Sequence, residues 1–137
     1  MKNIGIWMDK EKAKIVTLKD GKVRMETLYS EIEFFNPKGG SRSKTRWGPQ
    51  DVVQDSKYLE REKHQTKIYF EKLLPFLKDV NGIAIYGPAE IFEKFTAELN
   101  ENHPEIAKKV KIATTKDSMT DNQVKAMVRD FFKVDYP

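Results

Sequence analysis

Asp20-Gly21 fixes more of the fold than any other pair of residues in the chain. A type I′ turn needs positive φ at both central positions, which Asp tolerates and Gly adopts freely, so Asp-Gly between two alternating runs predicts a two-residue hairpin. Upstream lies AKIVTLKD and downstream KVRMETLYS, with Val23, Met25 and Thr27 on one face and Arg24, Glu26 and Leu28 on the other. A further Ile- and Trp-rich run, IGIWMD, joins the first through Asp9-Lys10-Glu11-Lys12, which reads as a second hairpin. The first thirty residues therefore predict an antiparallel three-stranded meander.

After Ser56 the pattern changes period. Lys57 to Lys78 reads as a long helix with Asp55 or Ser56 as N-cap. Its second half carries Ile68, Tyr69, Leu73, Leu74 and Leu77 at helical spacing, while KYLEREKHQTK offers a core little beyond Tyr58 and Leu59. Its first turns are expected to project from the packed body, and Pro75 to kink or end it near Leu74. NGIAIYGPAEIFEKF then gives a short apolar strand, Ile83 to Tyr86, followed by a helix with Pro88 in its first turn. A polar connector containing Pro104 leads to KVKIATT, another strand. In the last helix Thr120 and Gln123 have capping-box spacing, with Val124, Met127, Val128 and Phe131 as the buried stripe. The expectation is an α/β fold: a mixed five-stranded sheet, an N-terminal antiparallel meander followed by two βα units, packed with about three helices.

A length of 137 residues suits one domain, so residues 1–137 are read as a single unit. No run approaches the ~20 apolar residues of a membrane span, and MKNIGIWMDKEK turns polar too early for a signal-peptide core. No membrane association and a cytoplasmic location are expected. The chain has no cysteine, which removes disulfides, thiol nucleophiles and thiolate metal sites. His64 and His103 have no metal-ligating partner at useful spacing, so no metal and no cofactor is expected. Glu60, Glu62, Glu71, Glu98 and Glu101 read as helix-surface charges, and Ser30, Ser41 and Ser43 have no base nearby in sequence.

Charge is concentrated in one place. The net charge is +4, and NPKGGSRSKTRWGPQ (36–50) alone carries four basic residues and no acidic one. A basic loop is read over 36–56, longer than compact domains use unless it is functional or disordered. In the functional reading Lys38, Arg42, Lys44 and Arg46 contact phosphates, Trp47 stacks on a base or ribose, and Gly39-Gly40 lets backbone approach a crowded surface. In the plain reading the loop is solvated and Trp47 folds back onto the core. YGPAEIF is a weaker anion-site candidate. It has one glycine, Pro88 removes a donor and Glu90 repels phosphate, so it reads as a simple strand-to-helix connection.

The order of elements, the Gly-Gly loop and the phrases IAIYGPAEIFEKF, VKIAT and TKDSMTDNQV resemble the middle domain of class I peptide release factors and Pelota. They resemble also the bacterial and archaeal relatives with this translational-machinery fold, host-attachment-type proteins among them. The resemblance covers nearly the whole chain. It implies a partner in the ribosome, its RNA or tRNA. In release factors the loop tip is Gly-Gly-Gln, which helps water attack the peptidyl-tRNA ester; Gly39 and Gly40 match it, but Ser41 stands where the glutamine belongs. The serine side chain is too short to reproduce the glutamine's positioning role. The resemblance thus implies a non-catalytic or weakly catalytic ribosome- or tRNA-associated protein. An acidic protein partner docking on the same loop, and peptidyl-tRNA hydrolysis at Gly39, Gly40 and Ser41, stay open as other readings. Oligomeric state is not legible.

Overall fold

Five strands form one mixed sheet in the order β3-β2-β1-β4-β5. The strands are β1 (Lys2–Met8), β2 (Lys12–Lys19), β3 (Lys22–Tyr29), β4 (Gly82–Gly87) and β5 (Val110–Thr115). The structure is a computed structural model that describes residues 2–32 and 48–135, with side chains described over 2–32 and 60–133. β1, β2 and β3 pair antiparallel, as the meander requires. β1 and β4, and β4 and β5, pair parallel. Asp20 (φ 51°) and Gly21 (φ 78°) both sit at positive φ, as the hairpin reading demands.

Among the described residues four helices cover the sheet: α1 (Gly48–Leu77), α2 (Ile91–Asn102), the single turn α3 (Pro104–Ala107) and α4 (Asp121–Asp130), which runs on into a π-helical turn, Phe131–Asp135. Because β1 is central, alternate side chains feed two cores. Ile4, Ile6 and Met8 join Ile15, Ile83 and Ile85 beneath Tyr69, Phe70, Leu73 and Leu77 of α1 and Ile91, Phe92, Phe95 and Leu99 of α2. Trp7 joins Val16, Ala84 and Tyr86 beneath Val124, Val128 and Phe132 on the opposite face. A Cβ on Gly5 would lie 2.3 Å from Val128 Cγ2, so the absent side chain is what lets α4 rest on β1.

The α/β sheet expected from the sequence is the one observed, with four differences of detail. α1 begins at Gly48, which takes residues 48–56 out of the loop read over 36–56. Pro49 suits a first helical turn, where its missing N–H costs no internal bond. α1 also continues past Pro75 to Leu77: Pro75 lies in the last turn, where the sacrificed bond is recovered by burying Leu77 fully. Pro88, in contrast, precedes its helix. Ile91 N donates to Ala89 O at 2.6 Å across Glu90, which sits at φ 55° and ψ −66°, a tight γ-turn that starts α2 at Ile91. The Pro104 connector folds into α3 and buries Ile106.

Candidate functional site

Chain direction places the exits of β1, β3, β4 and β5 at one end of the sheet, and segment 33–47 departs from that end after β3. Lys38, Gly39, Gly40, Ser41, Arg42, Lys44, Arg46 and Trp47 all lie outside the described residues. What the structure describes is the ground on either side of them.

The β1–β2 turn is the hub of that ground. Asp9 Oδ1 accepts from Glu11 N at 2.8 Å and Lys12 N at 2.9 Å, closing the turn on its own side chain. Ser30, just past β3, donates its hydroxyl to Lys10 O at 2.6 Å and its backbone N–H to Glu11 O at 2.8 Å. Ile32 N donates back to Ser30 Oγ at 3.3 Å, and Ile32 packs on the larger core. Glu31 between them takes φ 57° and lies 3.9 Å from Lys72 of α1. The chain is thus anchored to within one residue of segment 33–47.

From the other side, α1 reaches the same turn. Tyr69 Oη donates to Asp9 O at 3.1 Å. Its ring has no solvent exposure, and burial, reinforced by the charge of Asp9, raises the phenol above its ordinary range. It remains a neutral donor. Between Glu60 and Ile68 the helix is exposed or half-buried, and full burial begins at Tyr69. That matches the expectation of a solvated stretch ahead of the packed half.

A second clamp holds the β5–α4 loop to the sheet. Trp7 Nε1 donates to both Lys116 O and Asp117 O at 3.1 Å. Lys14, paired with Trp7 across β1 and β2, donates to Met119 O at 2.8 Å and reaches Asp121 Oδ1 at 3.1 Å. The same ammonium lies 5.6 Å from the centre of the Trp7 ring. Thr120 caps α4 by accepting from Gln123 N at 3.2 Å, and Gln123 Oε1 accepts from Thr120 N at 2.9 Å, which is the capping box read from the sequence.

Between the β1–β2 turn and the β4–α2 connection lies a cleft of about 350 Å³ lined by Asp9, Lys10, Glu11, Pro88, Ala89 and Glu90. Three of its six residues are acidic, so it is no phosphate cradle. Glu90 N is occupied by Glu93 Oε1 at 3.0 Å, which supports reading YGPAEIF as a connection. Among the described residues no cluster of His, Asp and Glu could hold a metal ion, and no helix is long and apolar enough to cross a membrane. His64 is exposed, and His103 is half-buried with Nε2 at 4.0 Å from Glu98 Oε2. Sequence reasoning missed Asp9, Lys14 and Tyr69 as organisers of this end. The Asp9-x-Glu11 Asx-turn spacing was the one local signal for them.

No family model matches the sequence, and no curated protein matches it. Solved structures do match by fold. Pelota from Archaeoglobus fulgidus superposes with a TM-score of 0.57 at 15% identity, over 98% of this chain and 32% of that one. The archaeal translation termination factor aRF1 gives 0.53 at 14% identity, over 97% of this chain and 34% of that one. A further archaeal protein gives 0.51 at 14% identity, over 98% and 34%. This chain therefore has the fold expected from the resemblance, and it spans about a third of the length of each of these proteins.

Proposed function

We propose that this chain, sharing its fold with archaeal Pelota and termination factor aRF1, serves translation by contacting ribosomal RNA or tRNA from the cytoplasmic side, as a single domain over residues 1–137. The observation that carries the reading is the fold likeness to Pelota across 98% of the chain. Lys38, Arg42, Lys44 and Arg46 supply attraction for phosphate, Trp47 a stacking platform, and Gly39-Gly40 a backbone slim enough to enter a crowded site. The rigid exit at Ser30 and the buried Tyr69 contact of α1 support it too, since they hold firm ground on both sides of a loop that has to reach. With Ser41 in the glutamine's place, the role is binding with little or no ester hydrolysis.

Co-sedimentation with ribosomes at low salt is the test. The chain is expected in the ribosome pellet, with each lost phosphate contact taking about 0.7–0.9 off the log–log salt slope. Changing Lys38, Arg42, Lys44 and Arg46 together to alanine should release it. Unchanged pelleting of that variant refutes the loop as the contact. Partners that survive nuclease treatment would point instead to an acidic protein on the same loop.

A further inference from the structure

β3 is an edge strand, and its free side has an uncommon symmetry. Among the described residues it pairs with β2 alone, in the register Lys19↔Lys22 through Lys12↔Tyr29. In a two-residue hairpin the flanking pair, here Lys19 and Lys22, exchanges both backbone hydrogen bonds, so the even-numbered residues of β3 face β2. The bond from Ser30 N to Glu11 O, one step past the strand, keeps that parity. Val23, Met25, Thr27 and Tyr29 therefore direct their N–H and C=O groups outward.

The same strand carries two of the three large hydrophobic residues that are exposed among the described ones, Val23 at 39% and Tyr29 at 61%. Among the described residues neither the Arg24 nor the Glu26 side chain has an ion-pair or hydrogen-bond partner. A long edge with apolar side chains normally carries a guard: a proline, an inward charge or a bulge. β3 has no proline and no bulge along its eight residues, and its charges, Lys22, Arg24 and Glu26, are exposed and of both signs, so a second copy can match them.

We infer that β3 is the interface of a symmetric dimer, in which it pairs antiparallel with β3 of a second copy about a two-fold axis through Met25. In this register Met25 faces Met25 of the second copy and Val23 faces Thr27, all outward-facing pairs, for about six backbone hydrogen bonds. Arg24 falls opposite Glu26 of the second copy, and Glu26 opposite Arg24. These are the pairs without backbone bonds, where side chains come closest. Tyr29 passes over Gly21 of the second copy, around which there is open space to 4 Å.

Charge selects this register over its neighbours. Sliding two residues one way sets Arg24 against Arg24, and two residues the other way sets Glu26 against Glu26. A slip of one residue opposes outward-facing backbone groups to inward-facing ones. The Arg24-centred register also sets Lys22 against Glu26 twice, so the Met25-centred one stands out as pairing Arg24 with Glu26 twice without opposing like charges. The interface is isologous, so it closes at two copies and joins the two sheets into one.

Sedimentation equilibrium against concentration tests the dimer, with the affinity of a small edge interface expected on the order of 10–100 μM. Arg24→Glu places like charges opposite one another twice and should weaken association about tenfold or more. The double variant Arg24→Glu with Glu26→Arg restores the pairing and should restore the dimer. Met25→Pro removes an N–H that only the second copy uses and should give a folded monomer. In hydrogen exchange the amides of Val23, Met25 and Thr27 should gain protection with concentration, while those of Arg24 and Glu26 are protected throughout. A chain that stays monomeric across this range, or a dimer that Arg24→Glu and Met25→Pro leave intact, overturns the inference.

Discussion

Tyr69 donates to Asp9 O from a position closed to solvent, and only the neutral phenol can do so. Its folded-state affinity for the proton is raised, whereas in the unfolded chain it ionises near the ordinary value of about 10. The unfolded state therefore gives up the proton first as pH rises. The stabilisation is complete below about pH 10 and is lost progressively above it. Thermal unfolding followed from pH 8 to 11 should show this loss, and Tyr69→Phe should flatten it while lowering neutral-pH stability by about 1 kcal/mol for the missing hydrogen bond. At Gly5 the constraint is steric. Gly5→Ala drives a methyl into Val128 and should destabilise by about 1–3 kcal/mol in urea unfolding. Asp20-Gly21 was legible because its turn is decided by its own φ angles. The Tyr69–Asp9 bond was not, since its partners stand 60 residues apart and nothing local announces them.

Lys14 shows what elements require beyond propensity. It lies on a strand buried on both faces, and its ammonium is the peg on which the β5–α4 loop hangs. Lys14→Ala leaves Met119 O without its donor and Trp7 without its cation, so a loss of about 1–3 kcal/mol is expected. Hydrogen exchange should quicken selectively over residues 116–120, a change that a general loosening of the core would not produce. Elements with strong periodicity, such as the meander and the Thr120-capped helix, were readable from pattern alone. The start of α1 was misplaced because its first turns carry few apolar residues, so the first-turn signal of Pro49 went unweighted. Pro88 was misplaced because a γ-turn at Glu90 depends on a non-glycine residue at positive φ, which composition does not favour.

At the scale of the whole molecule, the proposed RNA contact and the β3 edge use different residues, and they should separate. The four-alanine loop variant is expected to leave the ribosome pellet yet still dimerise, while Arg24→Glu should do the reverse. The basic loop was legible from charge and glycine content, because those need no tertiary partner. Its surroundings at Ser30, Asp9 and Lys14 were not, because Ser30 bonds a turn twenty residues back, Asp9 receives Tyr69 from α1, and Lys14 reaches the β5–α4 loop. The strand order has one more implication, in time rather than space. β1 is central, but its parallel partner β4 begins some eighty residues later, at Gly82. During synthesis at about 5–20 residues per second, the meander waits several seconds with the β4-facing edge of β1 open. Through that interval a nascent chain carries a bare central strand, apolar from Ile4 to Met8, and it is there, rather than in the finished fold, that a holding chaperone would find its substrate.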